Sequence, residues 1–399
     1  MGHAVSVEKV EPKKFVLAGN AQMALFVMMG LGVAGLAAGF ATDQERIWHS
    51  YLTSYFYFSS LAIGGLFFSA IQHAVHAGWS VNIRRICESM TAFLPIVFVG
   101  GLVVLGSGTH LYSWLDHEIV AHDAVLSGKA GYLNFGFWAF RMVLFAGLWM
   151  YFASKIIGYS LKQDEDGDHD WSHRLSRVSV AFLLVFALSY SLYSVDLMMS
   201  LDPHWFSTIF GVYCFAGMFQ STLAFMILMI LFIRKQGWVT GLMTDEHVHD
   251  IAKFLKGFTV FWAYIAFSQF MLIWYANLPE ETIFYLHRAH GGWMEVSFSL
   301  LIFKFIVPFV ALLPRWAKRT PKHLIMVCLL VLVMQFVDIY WLVYPNYKDH
   351  VVFSWQEILP FIGFLGAFLF MTSRFLAKNN LVPIKDPRIH ESLSHHVTY

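Results

Sequence analysis

Five ionisable side chains, Arg141, Asp196, Glu295, Lys304 and Asp338, stand inside otherwise apolar stretches of the sequence. An ionised group in the middle of a bilayer costs several kcal/mol unless it is paired or hydrated, so each is a candidate for function. Lys304 is the most demanding, because Pro308 follows four residues later. Proline has no N–H for the carbonyl four residues back, so the Lys304 carbonyl loses its helical donor and offers a water site. In a later apolar stretch Asp338 lies one helical turn from Gln335, and Gln269 sits in an earlier one. With Glu295 these residues make a candidate proton path. An ammonium relays protons only when it can lose one, which desolvation favours and a close carboxylate opposes. Glu295 is about two and a half helical turns from Lys304, so the two face opposite sides and cannot be simple partners. The alternative for Lys304 is a salt bridge to another helix.

Fewer polar groups continue such a path toward the other end of the helices. Gln72, His73 and His76 close one apolar stretch, with His73 and His76 three residues apart on one helical face. Glu88 opens the next and has Arg84 four residues before it, the spacing of an intrahelical ion pair. His73, His76 and Glu88 are therefore the remaining proton-path candidates, with interfacial anchoring or a structural salt bridge as the plainer reading.

Redox and metal chemistry find little support. Cys87, Cys214 and Cys328 stand far apart, with neither a C-x-x-C nor a C-x-x-C-H motif, and suit apolar packing. Intramembrane haem needs His pairs on facing helices, and only His73 lies well inside an apolar stretch. Iron–sulfur binding needs a cysteine cluster. His117 and His122 lie in a long connection, 108–134, and could bind a metal, but no tight ligand spacing repeats there. The expectation is no catalytic residue, no metal site, no covalently or metal-bound cofactor, and electron transfer only through another subunit or a diffusible quinone. No basic stripe suggests nucleic acid.

The elements that position these residues follow from composition. Of 399 residues, 58% are hydrophobic and 13% charged, about half the charged fraction of a soluble domain. The apolar residues fall in runs of roughly 20, the length a helix needs to cross about 30 Å of hydrocarbon. They do not alternate as barrel strands would. The expected fold is an all-α membrane protein with about ten transmembrane helices. The spans are 21–40, 51–75, 90–107, 135–159, 178–195, 206–232, 254–273, 293–313, 323–344 and 355–376. Lys and Arg in the connections separate into 21 on one side and 4 on the other. By the positive-inside rule both termini are then cytoplasmic. No cleavable signal pattern opens the polar head with Glu8, Lys9, Glu11 and Lys13, so the first span is expected to stay inserted. The acidic run 163–170 reads as solvated, and 108–134 reads as the longest structureless connection, of a kind that often covers a site or meets a partner.

Several stretches carry a family resemblance. Residues 194–208, Ser-Val-Asp-Leu-Met-Met-Ser-Leu-Asp-Pro-His-Trp-Phe-Ser-Thr, resemble the junction of the fifth and sixth helices in membrane subunits of alternative complex III. Phe267-Ser268-Gln269-Phe270, then Trp274-Tyr275-Ala276-Asn277-Leu278-Pro279-Glu280-Glu281-Thr282, match as well, as do Ala77-Gly78-Trp79-Ser80 and Arg84-Arg85. The chain is similar to the smaller, F-type NrfD-like (PsrC-like) subunit over nearly its whole length.

The resemblance implies a subunit of a quinol:cytochrome c (electron acceptor) oxidoreductase in the bacterial inner membrane. It implies one polytopic domain over 1–399 with four parts. These are an N-terminal tail and peripheral helix (1–50), two four-helix bundles (51–196 and 206–344), and a last peripheral helix with a cytoplasmic tail (355–399). Implied partners are a C-type sister subunit, a periplasmic iron–sulfur subunit, multihaem and monohaem cytochromes c, membrane lipid and, at the end of the chain of transfers, a terminal oxidase. In that family quinol oxidation is assigned to the sister subunit. The F-type subunit is discussed as proton-conducting and quinone-binding. A quinone or menaquinone pocket here would lie near Arg141, Asp196, His110 and Tyr112, since a quinone needs hydrogen-bond partners for both oxygens and an acceptor for its protons. The competing reading of Arg141 and Asp196 is a buried ion pair. Two other functions stay open: a purely structural anchor, and a secondary transporter whose Arg141 and Lys304 read an anion. Transporters often break spans at matching points of two halves, and Pro95, Pro308 and Pro360 do not match so.

Ten spans make a direct prediction. Reporters fused after Ser127 and after Tyr347 should report the same side of the membrane, opposite to both termini. A reporter at either position sharing the side of the termini would overturn the assignment.

Overall fold

The computed structural model describes residues 14–396, so Glu8, Lys9, Glu11 and Lys13 lie outside the described residues. Ten helices are long and apolar enough to cross a membrane. They are α1 (Gly19–Thr42), α2 (Gln44–Ala74), α3 (Val81–Leu105), α4 (Phe135–Asp166) and α5 (Asp170–Leu197), then α6 (Phe210–Lys235), α7 (Asp245–Ala276), α8 (Trp293–Ala311), α9 (Pro321–Val343) and α10 (Trp355–Lys378). The described residues contain no β-strand. The expected all-α membrane fold is the observed one.

Several helices outrun their apolar cores, and the caps explain why. The Asp43 side chain accepts the Arg46 N–H at 3.1 Å, so α2 starts well ahead of Tyr51. Thr244 and His247 form a reciprocal cap that starts α7 among polar residues. Gly167, at φ 73°, ends α4 where a left-handed residue is required. Two helices are irregular where proline enters. In α3, a 3₁₀ turn at Thr91–Phe93 precedes Pro95 in the first turn of the segment Leu94–Leu105. In α8, the turn Leu300–Ile306 is π-helical, and Pro308 opens the α-helical remainder. The connection 108–134 is not structureless, as the sequence reading had it. It holds helical turns at Gly108–His110 and Ser113–Leu115 and short helices at His117–His122 and Ala124–Lys129. The Asp116 and Asp123 carboxylates cap the two short helices, accepting from the N–H groups of Glu118 (2.9 Å) and Val125 (2.8 Å).

Helix α2 is the central element, with 94% of its apolar window buried. It packs on α3, α5, α6, α9 and α10. With α3, α4 and α5 it forms a closed ring in which each helix touches the next, and α6, α7, α8 and α9 make a second ring. Helices α1 and α10 pack on each other, and α10 also lies against α2 and α3.

Small residues set the closeness of the α1–α10 pair, as lipid-embedded helices require. A Cβ added at Gly363 would lie 2.7 Å from the Gly32 Cα, and one at Gly366 would lie 2.8 Å from the Met28 Cβ. Overpacking of this kind typically costs about 1–3 kcal/mol. Gly363→Val should therefore lower the thermal unfolding midpoint in detergent, whereas Gly30→Ala, where a Cβ meets nothing within 4 Å, should leave it unchanged. Equal midpoints for the two variants would refute this packing.

Candidate functional site

The π turn of α8 turns Lys304 inward, and none of its side chain is exposed. Its ammonium donates to Gln335 Oε1 at 2.7 Å and pairs with Asp338 Oδ2. Both partners come from one turn of α9, so the i, i+3 spacing read in the sequence presents them together. The other oxygen of Asp338 accepts from the Tyr213 hydroxyl on α6. The Trp262 ring on α7 lies beneath the ammonium, 4.5 Å from nitrogen to centroid. Four helices thus meet at one buried charge pair.

The Lys304 carbonyl does not offer the open water site expected from Pro308. Gln220 Nε2 approaches it at 3.4 Å while also donating to Thr259 Oγ1 at 3.0 Å. A side-chain amide has two N–H groups, so one Gln can serve both acceptors. Gln220 Oε1 is buried with no hydrogen-bond partner. Gly217 leaves room for Gln335, since a Cβ there would lie 2.8 Å from Gln335 Oε1.

The remaining proton-path candidates divide. Gln269 is buried and accepts from Ser207 at 3.2 Å, apart from the Lys304 group. Glu295 is exposed on the first turn of α8 and does not join the Lys304 group, because nine residues of helix carry it to the other face. Asp338 is bonded instead by Tyr213, which the sequence reading missed. A lone Tyr in an aromatic-rich helix carries no spacing signal.

At the end with most of the basic residues, a second charge group is buried. Glu88 contacts Arg84 at 3.3 Å, as the i, i+4 spacing implied, and also pairs with Arg85 and accepts from Ser160 at 2.8 Å. Arg84 reaches Asp386 at 2.7 Å, and Arg85 reaches Asp164 at 2.6 Å. Asp164 therefore corrects the reading of 163–170 as simply solvated. Burial would raise the Asp386 carboxyl, but adjacent Arg84 overrides it and holds it below the usual carboxylate range. Arg84 and Asp386 are 302 residues apart, and no local pattern announces the pair.

His73 and His76 do not share a face. Helix α2 ends at Ala74, so His76 stands beyond it at φ 53°, exposed, with its Nε2 3.3 Å from Ser176 Oγ. His73 is buried, and neither ring nitrogen has a partner. Buried unpartnered polar atoms of this kind are where internal water is found. Between the two charge groups, Ser221 and Thr222 bond to carbonyls of their own helix.

Of the four residues expected to line a quinone pocket, three are tied into internal hydrogen bonds and one is exposed. Arg141 grips Asp196 through Nε (2.7 Å) and Nη2 (2.9 Å), and its Nη1 donates to the Tyr132 carbonyl at 3.1 Å. The Tyr132 hydroxyl completes Asp196 at 3.0 Å, and the Tyr132 and Phe137 rings lie 3.8 and 4.4 Å from the guanidinium carbon. Tyr112 is fully buried with its hydroxyl on the Leu197 carbonyl at 3.1 Å, whereas His110 is exposed. The reason is local: the 3₁₀ turn at Gly108–His110 leaves no residue of that turn buried. Among the described residues no three His, Cys, Asp or Glu side chains group as a metal site. Neither a protein-family model nor a curated protein matches the chain.

Removing one member of a buried ion pair strands the other at a cost of about 3–5 kcal/mol. Arg141→Leu should destabilise the protein by that order, and Arg141→Leu with Asp196→Leu should recover much of the loss. The check is thermal unfolding in detergent, and a double variant no more stable than the single would exclude this account.

Proposed function

We propose that this chain is an F-type NrfD-like membrane subunit of alternative complex III, a quinol:cytochrome c oxidoreductase, and that it supplies a proton path rather than a redox centre. The observation that carries the mechanistic half is the Lys304–Asp338–Gln335 group at the π turn, extended by Tyr213. A Lys–Asp pair exists either as ammonium and carboxylate or as amine and carboxylic acid. A proton can thus be held and passed within it without changing its net charge. π turns are frequent at functional sites, and intramembrane charges that face a bundle interior mark ion pathways. Tyr213 gives the pair a hydroxyl through which to exchange with the end of the bundle away from the basic-rich loops.

The family half rests on the motifs. Residues 194–208 run from the end of α5 through a 3₁₀ turn at Met199–Leu201 toward α6. Residues 267–282 cover the end of α7 and the start of the helix Pro279–Leu286. On this reading the termini are cytoplasmic and the membrane is the bacterial inner membrane. The partners are a C-type sister subunit, an iron–sulfur subunit and cytochromes c. No cofactor belongs to the subunit itself. The closed Arg141–Asp196 pair favours a structural part for that site over quinone or menaquinone binding. A purely structural anchor is the second reading, since the same closure of charges would serve it.

Lys304→Met separates the two. On the proton-path reading the complex assembles, quinol oxidation continues, and protons translocated per electron fall. On the anchor reading the stranded Asp338 costs about 3–5 kcal/mol, assembly is lost, and neutralising Asp338 as well restores it. Recovery of assembly with unchanged proton stoichiometry in the double variant would reject conduction.

A further inference from the structure

Unlike the buried cations, two lysines on the outer face of α4 form no ion pair among the described residues. Each lies instead by an aromatic ring: Lys155 Nζ is 5.7 Å from the Tyr151 centroid, and Lys162 Nζ is 5.3 Å from that of Trp171. Phe140, Leu144, Tyr151, Lys155 and Lys162 follow at steps of four and seven residues, so they line one face of the helix. Phe140, Leu144 and Tyr151 are exposed. Lys155 stands one turn inside the apolar stretch 135–159, and Lys162 is about 10 Å further toward the basic-rich end at 1.5 Å per residue. An ammonium at the edge of hydrocarbon needs a counter-charge, and the chain supplies Lys155 with none.

The first turn of α5 borders this face. Trp171 lies against Tyr159 with ring centroids 5.2 Å apart, and the Arg174 guanidinium carbon is 4.9 Å from the Trp171 centroid. Two acids of the neighbouring connection are engaged beyond Lys162, on the side away from the apolar stretch. Asp166 accepts the Trp171 indole N–H at 2.8 Å, and Asp170 pairs with Arg174 at 2.8 Å. Gly158 leaves room beside Lys155, since a Cβ there would meet nothing within 4 Å. From mid-membrane outward the face thus runs apolar, then aromatic, then cationic. That is the order of acyl chain, interface and phosphate in one leaflet, and basic groups between helices at this level attract anionic headgroups.

We propose that this face of α4, beside Trp171 of α5, is a binding site for an anionic phospholipid. Lys155 and Lys162 hold the lipid phosphate, Trp171 and Tyr151 flank the headgroup level, and an acyl chain lies along Leu144 and Phe140. A lysine ammonium is a point charge with rotatable donors and suits phosphate without a fixed fork geometry. The lipid supplies the counter-charge that the chain lacks, and its chain covers apolar surface that the bundle leaves open.

The test uses the full-length chain in detergent with phosphatidylglycerol or phosphatidylcholine at equal concentration, and native mass spectrometry reads the lipid retained. The wild-type chain should retain phosphatidylglycerol about fivefold or more over phosphatidylcholine. Lys155→Gln with Lys162→Gln should abolish that preference, and Lys155→Arg with Lys162→Arg should keep it. Neither Gln substitution strands a charge, so the double variant folds. Lys348→Gln, which removes a lysine 4.7 Å from the Tyr347 ring and outside this face, should retain the wild-type preference. No preference in the wild-type chain, or an unchanged one in the double Gln variant, would overturn the site. Displacement of the lipid by inorganic phosphate at equal concentration would assign the lysines to a free anion and overturn the lipid. Loss of complex assembly in the double Gln variant, with its lipid preference unchanged, would assign them to a partner's carboxylates and overturn it as well.

Discussion

Charge in hydrocarbon must be neutralised locally, and this requirement sets how the helices of this protein meet. The cost of an isolated ion in a low-dielectric interior is several kcal/mol even after relaxation. Lys304 on α8 therefore needs Asp338 on α9, and Arg141 on α4 needs Asp196 on α5. Each pair ties two helices at one height and one rotation, because a slip of either would expose both charges to lipid. At the basic-rich end, Arg84 and Arg85 bring together α3, the end of α4 through Asp164, and the C-terminal segment through Asp386.

The same rule governs the neutral polar groups of α2. Its tyrosines are buried, yet each hydroxyl finds a carbonyl on another helix: Tyr51 on Gly100 and Tyr57 on Leu332, both at 3.1 Å, and Tyr55 on Val97 at 3.0 Å. Those three hydroxyls are satisfied across helix contacts, whereas Trp48 Nε1, Ser54 Oγ, Ser69 Oγ and both His73 ring nitrogens on the same helix are buried without a partner. Where no side chain is needed, glycine lets backbones close, as Gly32 and Gly363 do between α1 and α10.

Against that background the Lys304 group differs from the other pairs. Arg141 grips both oxygens of Asp196, and Tyr132 bonds to each of the two residues. The Lys304 group sits at an irregular turn, beside an unsatisfied Gln220 oxygen, and carries a further hydroxyl in Tyr213. A closed pair fastens helices. An open one can also pass protons, and a Lys–Asp pair has two protonation states of equal charge with which to do so.

Ten spans were legible in the sequence because the length and apolarity of a membrane helix are properties of the segment alone. The Arg84–Glu88 contact was legible for the same reason, since its geometry is contained in one helix. The oddity of Lys304 was too, because Pro308 acts on a carbonyl four residues away. The partners were not. Glu295 was set apart by its spacing along the same helix, but Asp338 and Gln335 stand on another, and only the rotation of α8 against α9 brings them to the ammonium. Tyr213, Gln220, Asp164 and Asp386 gave no local sign. Each acquires its role from residues on other helices or tens to hundreds of positions away, and His110 and His76 lose theirs because local turns carry them outward. What a helix is follows from its own residues; what its polar side chains meet is decided by how the helices turn against one another to leave no charge alone in lipid.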